Sequence, residues 1–135
     1  MIKAEETTGL MVMVSPVLWT SDYAGKLGLI EFADYSRDEI WVGFEDEEEL
    51  CFSSKTLFIL KPPEELKALA ENRNGALWQP VPQNLQAIAW LQNTGSAKQL
   101  KKAFELLQDD PELHRWATVR LNEAVDLDPA RKIGR

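Results

Sequence analysis

One cysteine, Cys51, and one histidine, His114, are the only residues of their kinds in this 135-residue chain. Together they are the smallest set that could act as a nucleophile and its base. Their surroundings offer little to support that role. Cys51 falls in an apolar, strand-like segment, where a lone cysteine behaves as a small hydrophobe. His114 falls on a helical stretch beside Arg115, and no third residue is marked to orient it. The run from Glu45 to Glu49 carries the oxygen ligands that a hard divalent cation takes. Consecutive side chains around a turn point apart, however, and no spaced Asp pattern or loop glycine accompanies them. The run reads as a solvated acidic turn that discourages pairing at a sheet edge. The sequence also lacks a phosphate-cradling glycine loop, a metal-spaced Cys/His set and a serine elbow. No carboxylate pair stands out as an acid and base. The expectation is a non-enzymatic protein with no metal and no cofactor.

The aromatic residues offer more. Eight of the twelve lie before Leu60: Trp19, Tyr23, Phe32, Tyr35, Trp41, Phe44, Phe52 and Phe58. Phe44, Phe52 and Phe58 read as core. Trp19 and Tyr23 in a first loop, with Phe32 and Tyr35 near a second, are placed to wall a cage for a cationic side chain. The bordering acids favour such a ligand. The candidate binding set is Trp19, Tyr23 and Tyr35 with Asp22, Asp34 and Asp38.

The elements that must hold these residues are short and strand-like. Leu10–Ser15, Leu27–Ala33, Glu39–Phe44, Leu50–Ser53 and Leu57–Leu60 are separated by turn residues, a spacing that suits a small barrel. Period-2 alternation puts Val12, Val14, Ile40, Val42 and Phe44 on one face, with Met11, Met13, Leu29 and Trp41 opposite. A sheet apolar on both faces is normally covered on both. Helical signals follow. Pro62-Pro63-Glu64-Glu65 opens a helix, and Asn74-Gly75 stops it. Leu85–Gln92 forms a second helix, and Ser96 with Gln99 matches a capping box for a third. Asp110-Pro111-Glu112 opens a last helix, carrying Leu113, Trp116, Ala117, Leu121 and Ala124 as far as Asp128-Pro129. It should make an antiparallel hairpin with the helix before it. The expected fold class is α+β: a five-stranded barrel at 10–61, a helical segment of about four helices at 62–128 packed on it, and flexible tails at 1–9 and 129–135.

Charge narrows the partners. The net charge is −7, and residues 10–61 hold ten acids against four bases. That part repels phosphate backbones, whose binding needs clustered Lys and Arg. A single cysteine forms no internal disulfide, which fits a reducing, cytoplasmic setting. The apolar Leu10–Trp19 stretch follows Glu5 and Glu6 and contains Pro16, unlike a signal peptide. No run is long enough to span a membrane.

Gly25-Lys26-Leu27-Gly28-Leu29-Ile30, then Ile40-Trp41-Val42-Gly43-Phe44-Glu45-Asp46, then Phe52 and Leu57, resemble the SH3-like barrels of the KOW and Tudor type. The resemblance covers about two-fifths of the chain. It implies a five-stranded barrel that binds a peptide, a modified lysine or a nucleic acid rather than performing catalysis. The sequence departs from the family pattern at the Glu45–Glu49 turn and lacks the basic residues of nucleic-acid-binding KOW domains. The leading expectation is an interaction module for a protein or peptide, one rich in basic residues. The alternative is a nucleic-acid-associated protein using Lys98, Lys101, Lys102 and Arg115 of the helical part.

Overall fold

The computed structural model describes residues 2–3, 6–18, 21–71, 81–94, 96–108 and 110–126. Two compact units divide the chain. One comprises Met1–Ile59 with Val119–Arg135, and the other is Leu60–Thr118.

The first unit is built on β2 (Met11–Val14), β3 (Leu27–Asp34), β4 (Glu39–Gly43), β5 (Glu49–Phe52), β6 (Leu57–Leu60) and β7 (Thr118–Arg120). These strands form one six-stranded sheet in the order β5-β4-β3-β2-β6-β7. The pairs β2–β3, β2–β6, β3–β4 and β4–β5 are antiparallel. A separate two-residue parallel pair joins β1 (Ile2–Lys3) to β8 (Val125–Asp126). A 3-10 turn at Ser54–Thr56 links β5 to β6. The expected closed, five-stranded barrel is therefore corrected to an open, six-stranded sheet with β5 and β7 at its edges.

The sixth strand explains the change. Helical spacing and capping extend the last helix to Asp128, but α4 (Pro111–Ala117) stops after seven residues. Thr118 and Val119 are β-branched and weak helix formers, and an unfilled edge of β6 is available to them. Thr118 also turns its hydroxyl back onto the His114 carbonyl at 2.7 Å, closing the helix. Leu121, on the short α5 (Leu121–Ala124), and Val125 then join the core of the first unit.

That core lies on the inner face of the sheet: Val12, Val14, Ile30, Ile40, Val42, Phe44, Phe52, Leu57 and Ile59, with Leu121 and Val125. The outer face is uneven. Met13 is 2% exposed, whereas Leu29 is 42% exposed, and Met11 and Trp41 lie between. The expected cover over all four residues leaves Leu29 open. Gly28 is held to glycine by close approach, since a Cβ there would meet Val42 Cγ1 at 2.5 Å and the Gly43 carbonyl at 2.8 Å. Gly25 is required for its backbone, at φ +79°.

In the second unit, α1 (Pro63–Glu71), α3 (Ala97–Glu105) and α4 all pack against α2 (Val81–Thr94). The expected hairpin between the last two helices is replaced by this common central helix. Its core includes Leu66, Leu85, Ile88, Phe104, Leu107 and Leu113, all essentially inaccessible to solvent. The predicted cap of α3 is present, with Ser96 Oγ accepting the Gln99 N–H at 3.1 Å. Gln92 Nε2 donates to the Lys61 carbonyl at 2.8 Å, tying α2 to the start of the unit. Among the described residues, no helix is long and apolar enough to cross a membrane.

Candidate functional site

The six predicted site residues do not form one cluster. Trp19 lies outside the described residues. Asp34, Tyr35 and Asp38 lie where β3 turns into β4, at the Asp34–Glu39 end of the hairpin. Tyr23 lies by its opposite end: the ring packs on Phe44 at 4.4 Å, and the hydroxyl donates to Asp46 Oδ2 at 2.6 Å. About five residues of β4 separate the two ends, roughly 16 Å of strand. Asp22, beside Tyr23, is exposed.

At the Asp38 end the polar groups serve the fold. Asp38 adopts φ 54°. Its carboxylate accepts from Ser53 Oγ at 2.6 Å, Ser54 N at 2.8 Å and Ser54 Oγ at 2.6 Å. Burial alone would raise its pKa, but these donors outweigh burial and lower it. Asp34 accepts from Ser36 N and Ser36 Oγ, and that hydroxyl bond is the main cause of its lowered pKa. Tyr35 donates to Thr7 Oγ1 at 2.9 Å, and burial pushes its phenol up.

At the Tyr23 end the hydrogen bond to Asp46, then desolvation and the charges of Asp46, Glu48 and Asp22, push the Tyr23 phenol up to about 12. Lys26 Nζ lies 5.2 Å from the centre of the same ring, a cation–π contact supplied by the chain itself. Asp46 also accepts from Glu48 N at 3.0 Å, and Glu47 takes φ 70°. This is the acidic turn: Asp46 is spent on shaping it, and no group of acidic, His or Cys side chains able to hold a metal occurs among the described residues.

Cys51 and His114 lie in different units. Cys51 is exposed on β5, and local desolvation, then the charges of Glu39 and Asp38, raise its thiol and keep it protonated. His114 is half-buried on α4, and burial lowers its pKa.

A different set of residues forms a surface open to a partner. On the outer face of β3, β4 and β5, Phe32 faces Trp41, which faces Cys51; the next row is Leu29, Gly43 and Glu49. The register shifts between Ile30 and Phe32. Strict alternation would place Phe32 beside Ile30 in the core, and the bulge turns it outward instead, 58% exposed. Glu31 occupies the bulge, and its carboxyl lies over Gly43, where a Cβ would collide with it. Its hydrogen bond to Glu49, followed by desolvation and its charge, raises the Glu49 carboxyl above the ordinary range. Two acids thus crowd together beside exposed Phe32 and Leu29. Sequence reasoning placed Phe32 in a loop cage and Glu49 in a solvated acidic turn, and did not single out Glu31. The available signal was Gly43, a strand glycine of the kind that marks close approach.

On the second unit, Lys98, Lys101 and Lys102 are exposed along α3, and Arg115 is exposed on α4. Spacings of three and four residues place the lysines on one side of α3. No protein-family model matches the chain, and comparisons with curated proteins and with solved structures likewise find no match.

Proposed function

We propose that the protein is a non-enzymatic interaction module whose outer sheet face binds a basic protein or peptide segment in the cytoplasm. The observation that carries this reading is the pairing of exposed Phe32 and Leu29 with the crowded carboxyls of Glu31 and Glu49 on one face. Apolar rings supply contact area and cation–π attraction, and the carboxylates favour Lys- or Arg-bearing ligands and speed their encounter. The resemblance to SH3-like domains of the KOW and Tudor type supports a binding role. The local excess of acid argues against nucleic acid at this face, and the single free thiol fits a reducing compartment.

The test is titration of the labelled protein with a lysine-rich peptide, followed by amide shifts. Shifts centred on Phe32, Trp41 and Glu49, weakening with salt and lost in Phe32→Ala, are expected. Binding elsewhere, or none, removes the reading. The exposed lysines of α3 favour a second reading, nucleic-acid contact through the helical unit. Salt-dependent retention on DNA or RNA, lost in Lys98→Ala/Lys102→Ala, would select it.

A further inference from the structure

We infer that β5 is a docking edge, onto which an extended basic segment of a partner protein adds as a further strand. The inference rests on the reading above and gives the ligand a backbone conformation and a register. β5 is the last strand of the sheet on its side among the described residues. In an antiparallel ladder, alternate residues of an edge strand turn their N–H and C=O groups away from the sheet. Along Glu49–Phe52 the groups that do not pair with β4 are therefore presented to a partner backbone.

The side chains set the pattern of that partner. Glu49 and Cys51 are exposed on the outer face, while Leu50 is only partly covered on the inner side, where it packs against the core. An added strand alternates in the same way. Its outer residues approach Glu49, with Glu31 and Trp41 beyond, and its inner residues cover Leu50. The segment that fits carries Lys or Arg at every second position and aliphatic residues between them.

Charge selects a basic partner over a second copy of this chain. Glu45, Glu47 and Glu48 are exposed in the turn leading into β5, and Glu49 begins it. Two such edges brought together set like charges against one another, which destabilises a strand pair. A basic strand meets the opposite sign at Glu49 and in the acidic turn that leads into it. This is the β-augmentation mode, in which main-chain bonds give affinity and alternate side chains give specificity.

The probe is an acetylated, amidated hexapeptide of alternating lysine and valine, added to the full chain. Hydrogen exchange at Glu49–Phe52 should slow on binding, and alkylation of Cys51 should slow at least tenfold. Two peptide variants locate the backbone bonds. N-methylation at alternate amides of one parity should weaken binding at least tenfold, because it removes the donors facing β5. Methylation of the other parity should change it less than threefold. Glu49→Lys should also weaken binding at least tenfold, and a glutamate–valine peptide should not bind. If the lysine peptide binds at Phe32 and Trp41 but both methylated forms bind equally well, edge addition is overturned while the acidic face stands. Failure of the lysine peptide to bind overturns both. A dimer in sedimentation that dissociates as the peptide binds would seat a second copy on the edge and overturn the basic partner.

Discussion

The two hairpin turns that flank β4 are both acidic, and each holds a non-glycine residue in the left-handed region, yet they are built differently. In the β3–β4 turn the left-handed residue, Asp38, also provides the anchor: its own carboxylate gathers three donors from Ser53 and Ser54. In the β4–β5 turn the left-handed residue is Glu47, which is exposed, and its neighbour Asp46 holds the turn through Tyr23 and the Glu48 amide. Equal charge in the sequence thus covers two kinds of acid, those already satisfied by donors of the same chain and those still open to an outside cation. On the function proposed above, Glu31 and Glu49 belong to the second kind. An acidic count alone does not separate the two, because the donors that satisfy an acid arrive from elsewhere in the chain.

The largest test of this contrast is at Asp38. Asp38→Ala strands the donors of Ser53 and the buried Ser54 and should cost about 1–2 kcal/mol by denaturant titration, after allowance for partial solvation. Its pH dependence has a definite sign. The folded-state pKa lies below the ordinary carboxylate value of 3.8, so the contribution is present above pH 4 and is lost as pH falls through the folded value. Asp38→Ala should therefore have a flatter acid limb than the natural chain.

A smaller effect is expected at the other turn. With Tyr35→Phe as background, Tyr23 is the only tyrosine, and its phenolate absorbance should rise near pH 12 rather than at the ordinary 10.0. Because the folded value is raised, the stabilisation is complete below pH 10 and is lost as pH rises toward 12. Adding Asp46→Asn should bring the titration back toward 10. An unchanged midpoint would mean that the Tyr23–Asp46 bond is absent in solution.

The smallest effect should run in the opposite direction. Glu47→Gly relieves a left-handed backbone at a position whose exposed side chain does not hold the turn, and the melting midpoint should rise by about 2 °C. Asp38→Gly relieves the same backbone cost but removes the three donor contacts, so its midpoint should fall. If the two glycine variants shift together, the distinction between the turns is lost.

Much of the framework was legible because local chemistry agrees with tertiary packing. The strands at 27–34 and 39–43, the Ser96 cap and the acidic turn all follow from alternation, capping and charge. Two features were hidden for the same physical reason. Thr118 and Val119 sit in a helical pattern that a free edge of β6 overrides. Phe32 sits in an alternating pattern that a one-residue bulge reverses. Sheet edges and bulges are settled by pairing between distant segments, and neither leaves a strong periodic trace. The candidate site was less legible than the fold because it lies at both: the bulge exposes Phe32, and the edge exposes Glu49.

The return of the chain at Val119 also sets an order of assembly. Synthesis delivers every residue of the helical unit, from Leu60 to Thr118, before the first unit receives Leu121 and Val125. The contiguous helices can close on local contacts while they emerge. The sheet must wait for a strand that pairs across nearly the whole helical segment, the slow kind of contact in folding. Until then the ribosome carries a half-built core with both flanks of the meander open. If the inferred basic strand adds to β5, it would meet one of those flanks once Phe52 has cleared the exit tunnel, before the protein has finished folding.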